Sequence, residues 1–165
     1  MIFPPDFVSQ MQELLGSKAG DFFKALNYAP ATSIRLNPAK SSHLAFSEKV
    51  KWCSHGYFIE PRPVFTLDPL FHAGSYYVQE ASSMFIEEAV NQLNLKVPGL
   101  RVLDLCAAPG GKSTHLLSLL HAESLLVSNE VIRSRVKILE ENLVKWGYSN
   151  YVITNNEAKD FSVLE

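Results

Sequence analysis

The segment from Val102 to Thr114 is the part of the chain best equipped for chemistry. It runs Val102-Leu103-Asp104-Leu105, turns on Cys106-Ala107-Ala108-Pro109-Gly110-Gly111, and continues as Lys112-Ser113-Thr114. Small side chains let a ligand lie against the backbone, and a helix start offers unpaired N–H groups. Two nucleotide chemistries suit such a turn. One is phosphate cradling, since Gly111-Lys112-Ser113-Thr114 resembles the close of a GxxxxGK[ST] loop. Counting back, the first glycine of that pattern falls on Cys106, and Pro109 removes an N–H from the cradle. The other is a nucleoside lying across strand tips, with a carboxylate at the end of the next strand taking the ribose hydroxyls.

Glu130 stands where that carboxylate is needed, after Leu125-Leu126-Val127-Ser128-Asn129. A carboxylate accepts two hydroxyl hydrogen bonds, which matches a ribose diol. A third apolar run, Tyr151-Val152-Ile153-Thr154, ends at Asn155-Asn156-Glu157, where an amide or carboxylate can read an adenine amino group. Each glutamate alone also fits an ordinary solvated loop position. Asp104, an acid inside an apolar run, needs partners: it either caps the loop or meets a ligand's ammonium group.

These positions require strands that end side by side. Arg101–Leu105, Ser124–Ser128 and Tyr151–Thr154 read as three buried strands, the first covered on both faces. A helix from about Lys112 to His121 separates the first two. A second helix carries the stripe Ile132, Val136, Leu139 and Leu143 and stops at Gly147. Strand–helix–strand–helix–strand implies a parallel sheet with right-handed crossovers and order 3-2-1. The apolar first strand then has no partner on its outer edge, an aggregation liability that favours association of this chain. This α/β pattern reads as the front part of a longer, Rossmann-like domain.

Residues 1–75 have a different texture and hold seven of the nine prolines. Short helices near 6–15 and 20–27 and short strands at Ser33–Leu36 and Gly56–Ile59 suggest a small α+β module, with the second domain at 76–165. Ile86, Ala89, Val90 and Leu93 mark a further helix. Phe22, Phe23 and Trp146 are expected in the core, Cys53 as a packed or surface thiol, and Arg133, Arg135 and Lys137 as helix-surface charges. Arg35 has two readings, an RNA phosphate contact or a salt bridge to the neighbouring domain.

Composition sets the outer bounds. The 165 residues are 47% hydrophobic and 19% charged, and 15 basic against 17 acidic residues leave a net charge of −2. That excludes a basic nucleic-acid tail and points to a local patch for any polyanion. Two cysteines and five scattered histidines form neither a CxxC nor an HxxxH pattern, so no metal centre is expected. No apolar run approaches the roughly 20 residues of a membrane span. The opening Met1-Ile2-Phe3-Pro4-Pro5-Asp6 lacks the basic and apolar regions of a signal peptide, so a cytoplasmic location is expected.

Asp104 through Leu116 resembles the cofactor loop of the Nol/Nop/Sun-type RNA (cytosine-5) methyltransferases. Ser33-Ile34-Arg35-Leu36-Asn37-Pro38 resembles the RNA-contacting N-terminal module of that family, and Tyr77–Met84 resembles the segment entering its methyltransferase fold. Asn129-Glu130 followed by Ser134-Arg135-Val136 resembles its second motif, and the Pro4-Pro5-Asp6-Phe7 start leans towards the bacterial ribosomal-RNA branch. The resemblance implies that Cys106, Ala107, Ala108, Pro109, Gly110, Gly111 and Lys112 wrap S-adenosylmethionine. It further implies that Glu130 takes the ribose and Glu157 lies near the adenine, where the family pattern has aspartate. It implies RNA as partner, ribosomal RNA ahead of transfer RNA, and a monomeric parent protein. The family's nucleophilic cysteine and its helper lie beyond the third strand, so no catalytic residue is expected in this chain. Cys106 suits a small residue beneath the cofactor better than a nucleophile. The competing classes are a P-loop-like nucleotide hydrolase and a non-catalytic module that binds S-adenosylmethionine or RNA.

Overall fold

A proline at the first helical position starts the first element. Pro5 opens α1 (Pro5–Leu15), where its missing N–H leaves no hydrogen bond unmade. Gly16 stops the helix with φ of +53°, a conformation glycine adopts cheaply. The computed structural model describes residues 2–40 and 46–163. In it α2 (Ala19–Ala25) follows one 3₁₀ turn. Phe3, Phe7, Phe22 and Phe23 pack ring against ring with centroids 5.4–6.2 Å apart. This aromatic cluster forms the centre of one compact unit, Met1–Ala31.

The second unit, Thr32–Glu165, contains two sheets. In the first, β1 (Thr32–Leu36) lies between β2 (Gly56–Ile59) and β3 (Tyr76–Val78), all antiparallel. The register sets Arg35 opposite Gly56 on one side and Tyr77 on the other. The three-residue β3 is too short to show the alternation that marks a strand in sequence. A one-turn helix, α3 (Pro69–His72), precedes it, capped by Asp68 through the Leu70 N–H. Leading into the second sheet, α4 (Ile86–Gln92) sits at the expected apolar stripe.

The second sheet is parallel, with order β4 (Arg101–Asp104), β5 (Leu125–Asn129), β6 (Tyr151–Thr154), the order expected from the crossovers. Its connecting helices are α5 (Gly111–Leu119) and α6 (Arg133–Trp146). Gly147 ends α6 at φ of +87°, with its N–H bonded to the Leu143 carbonyl. Leu116, Leu117, Leu126, Leu139, Leu143 and Trp146 form the main core, to which α4 adds Val90. Each such side chain contributes on the order of 1.5–3 kcal/mol by leaving water. One expectation is corrected here: β4 is not covered on both faces. Leu103 and Leu105 remain 41% and 40% exposed, because β4 is the end strand and has only β5 beside it among the described residues. Among those residues no helix is long and apolar enough to cross a membrane.

Candidate cofactor site

The loop between β4 and α5 is closed by the acid that precedes it. Asp104 Oδ1 accepts from the Cys106 N–H at 3.3 Å, and its Oδ2 accepts from the Ser113 hydroxyl at 2.7 Å. Of the two sequence readings of Asp104, the loop cap matches these bonds. The Ser128 hydroxyl donates to Ser113 Oγ at 3.1 Å and ties the same corner to β5. Gly110 stands at the helix start with φ of +107°; a Cβ there would lie 3.4 Å from both Asn142 and Leu139. Loop carbonyls are held from outside: Pro109 O accepts from Asn142 Nδ2 at 2.8 Å, and Ala108 O from Arg135 at 2.6 Å. Arg135 is thus a loop-holding residue rather than the free helix-surface charge expected.

Glu130, at the tip of β5, is only 3% exposed and is no solvated loop carboxylate. Its Oε1 accepts from the Ile132 N–H at 2.9 Å, and its Oε2 accepts from the Ala108 N–H at 3.3 Å with Arg135 Nη1 at 3.5 Å. A carboxylate has about four acceptor positions, so capacity for a further donor remains. Glu157 is placed differently. Its side chain is exposed and pairs with Lys159 at 2.7 Å, as an ordinary surface glutamate does. The structure therefore joins Glu130 to the loop Cys106–Lys112 and leaves the Glu157 carboxylate in solvent. Within the loop, Ala107, Ala108 and Gly110 are buried, Gly111 is half-buried, and Cys106, Pro109 and Lys112 are exposed.

The same bonds weigh against phosphate cradling. The Ala107 N–H is given to Asn129 O, the Ala108 N–H to Glu130 and the Gly110 N–H to Ala107 O, while Pro109 has none. A phosphate would find the N–H groups of Ala107, Ala108 and Gly110 already taken and a buried carboxylate behind them.

Two positioning residues carry no sequence signal of that role. Asn129 knots all three strand tips. Its Nδ2 donates to Leu105 O and Asn156 O at 3.2 and 2.9 Å, and its Oδ1 accepts from Thr154 Oγ1 and the Asn156 N–H, each at 2.9 Å. Arg35 is 1% exposed, which corrects the RNA reading; the tie to the neighbouring domain is present, but through neutral acceptors and not a carboxylate. Its Nε donates to Gln79 Oε1 at 2.9 Å, its Nη2 donates to Gly111 O and Thr114 Oγ1 at 3.2 and 2.6 Å, and the guanidinium lies 4.5 Å from the Trp146 ring centre. Burial lowers its pKa to about 10, which leaves it charged at neutral pH. Between Tyr77, Gln79 and Ser83 on one side and Cys106, Ala108 and Lys112 on the other lies a cleft of about 210 Å³.

Family comparison agrees with this architecture. The N-terminal domain of 16S rRNA methyltransferase RsmF matches residues 3–81, and 16S rRNA methyltransferase RsmB/F matches residues 91–164. Ribosomal RNA small subunit methyltransferase F of Pectobacterium atrosepticum is 34% identical across 96% of this chain and 36% of its own length. The protein of the same name from Escherichia coli O9:H4 is 33% identical across 98% of this chain and 36% of its own length. The chain thus spans little more than a third of these relatives. A methyltransferase homologue from Pyrococcus horikoshii superposes with a TM-score of 0.79 at 26% identity, over 98% of this chain and 55% of that one. The structure of NSun6 from Pyrococcus horikoshii with SFG shares the fold at a TM-score of 0.77 and 16% identity, over 98% of this chain and 67% of that one. With one family matching its first half and the other its second, the chain belongs to the RsmB/F family of 16S rRNA methyltransferases and corresponds to that family's N-terminal portion.

Proposed function

We propose that these residues form the cofactor-binding half of an enzyme that moves a methyl group from S-adenosylmethionine to carbon 5 of a cytosine in ribosomal RNA. The observation that carries the reading is Glu130, buried at a strand tip and bonded to the small-residue loop at Ala108. The remaining acceptor capacity of Glu130 suits a ribose diol. Residues Cys106–Lys112 supply a wall without bulk, along which the rest of the cofactor lies. The cleft fits a ligand in two further respects. A Cβ on Gly111 would approach Tyr77 to 3.4 Å and narrow it, and the buried Gln79 Nε2 on its wall has no partner within the protein. Glu157 reaches an adenine only by leaving Lys159, so we assign the adenine edge to the turn Asn155–Glu157 as a whole.

When bound, S-adenosylmethionine supplies an electrophilic methyl group. Carbon 5 of cytosine is a poor nucleophile and becomes enamine-like only after a thiolate adds to carbon 6. We read neither cysteine here as that thiolate. Cys53 is buried away from the cleft, and Cys106 belongs to the loop that lies against the cofactor. In this reading the chain binds and orients the donor, and the nucleophile comes from a part of the protein outside these residues.

Titration calorimetry with S-adenosylmethionine, and separately with ATP and magnesium, tests the proposal. Heat from the first ligand alone is expected. Binding of ATP with magnesium and not of S-adenosylmethionine would replace this reading with the phosphate-cradling one.

A further inference from the structure

Away from the cleft, three side chains with metal-ligating atoms converge from three separate parts of the second unit. Cys53 comes from the turn before β2, Glu87 from the first turn of α4, and His115 from the middle of α5; they are 2%, 2% and 1% exposed. The Cys53 Sγ lies 3.8 Å from His115 Nε2, which lies 3.0 Å from Glu87 Oε2, and all three ligand atoms fall within 4.8 Å of one another. We propose that Cys53, Glu87 and His115 form a structural binding site for a divalent transition-metal ion of the zinc type, which fastens the turn at Cys53 to α4 and α5.

The donor set is the first argument. One thiolate, one imidazole and one carboxylate are ligands that zinc accepts together. Spacing is the second. Zinc–sulfur bonds of about 2.3 Å and zinc–nitrogen or –oxygen bonds of about 2.0–2.1 Å at tetrahedral angles put sulfur and nitrogen roughly 3.6 Å apart and nitrogen and oxygen roughly 3.3 Å apart. The observed 3.8 and 3.0 Å need shifts of a few tenths of an ångström. Charge is the third: a thiolate and a carboxylate cancel a dication, so the ion and its ligands carry no net charge beside the buried Arg35 guanidinium. The imidazole is also free to change tautomer, because its buried Nδ1 has no partner within the protein. On binding, the thiol proton leaves to solvent, and the imidazole proton moves from Nε2 to Nδ1 and exposes the Nε2 lone pair to the ion. Ser54 offers a way in. It bonds Glu87 through its N–H and its hydroxyl, yet it is exposed, so water is at hand for the fourth position.

The site is independent of the cofactor reading, since none of the three residues lines that cleft. The test is cobalt(II) loading of the full chain, followed by gel filtration, elemental analysis and absorption spectroscopy. About one cobalt per chain is expected, with a near-ultraviolet thiolate-to-cobalt band. The band should vanish in Cys53→Ser and in His115→Gln, and persist in Cys106→Ser. Zinc should raise the melting temperature of the parent chain and of Cys106→Ser, and leave that of His115→Gln unmoved. Circular dichroism confirms that each variant is folded, and His115→Gln, which keeps a polar side chain of similar reach, serves if Cys53→Ser does not fold. Loss of all cobalt on gel filtration, or a band that survives in His115→Gln or disappears in Cys106→Ser, would overturn the proposal.

Discussion

The guanidinium of Arg35 donates to the hydroxyl of Thr114 at 2.6 Å, so the central strand of the antiparallel sheet grips the first turns of the helix that leaves the cofactor loop. The same Nη2 reaches Gly111 O, the first carbonyl of that helix. Removing the guanidinium by Arg35→Met should therefore strand the buried acceptor on Gln79, while Gly111 O keeps the Thr114 hydroxyl at 3.1 Å. A loss of about 1–3 kcal/mol in urea unfolding is expected, with weaker binding of S-adenosylmethionine. Arg35→Lys should recover only part of both, because an ammonium does not reproduce the planar fork. Equal behaviour of the lysine variant and the parent would remove Arg35 from this role.

Glu130→Ala should weaken S-adenosylmethionine by about ten- to a hundredfold, or roughly 1.5–3 kcal/mol for bonds to a charged acceptor. Calorimetry on the parent and the variant measures it. Unchanged affinity would exclude the ribose assignment.

Gly110→Val addresses backbone access. At φ of +107° a β-branched residue is strained, and its Cβ would press on Asn142 and Leu139 at 3.4 Å. Cofactor binding should be lost while the circular dichroism spectrum is retained. A variant that binds normally would place the cofactor elsewhere.

Acid should destabilise the metal-free chain in two stages. Burial lowers the pKa of His115 below its ordinary 6.5 and outweighs the opposing pull of Glu87. Unfolding then takes up a proton there, so stability falls as pH drops below about 6.5. Burial would raise the Glu87 carboxyl, but bonds from His115, Ser54 and Cys53 prevail and hold it at about 2. Its contribution is complete above 4.5 and is lost as pH falls towards 2. Urea midpoints measured with a chelator from pH 7 to 3 should decline throughout, and Glu87→Gln should flatten the limb below 4.5.

Residues 1–165 alone should not methylate RNA, whatever the excess of substrate and donor. Tritium transfer from labelled S-adenosylmethionine into 16S rRNA, compared with a full-length relative, checks this. Incorporation by this chain that disappears in Cys106→Ser would make Cys106 the nucleophile.

The parallel half was legible because long periodic helices and a small-residue turn leave local signals. Gly147 stops α6, the stripe through Leu139 and Leu143 faces the core, and Glu130 follows its strand by simple counting. Features that depend on distant contacts were not. For Arg35 the sequence leaves an RNA contact and an interdomain tie equally open, until Gln79, Gly111 and Thr114, some 44 to 79 residues away, close around it. Cys53 and His115 stand 62 residues apart, beyond any local ligand pattern. Glu130 and Glu157 look alike as loop acids, and only the packing of Ala108 and Arg135 over the first separates them.

Among the described residues, the open edge of β4 and the strand-tip knot meet at Leu105. Leu105, half out of its covering, gives its carbonyl to Asn129, which in turn holds Asn156 beside the turn assigned to the adenine. A strand that shields Leu103 and Leu105 would damp the motion of that carbonyl and so tighten the grip on the nucleoside. By reciprocity, a bound nucleoside would favour strand docking by the same factor, and each event would raise the other's equilibrium constant equally.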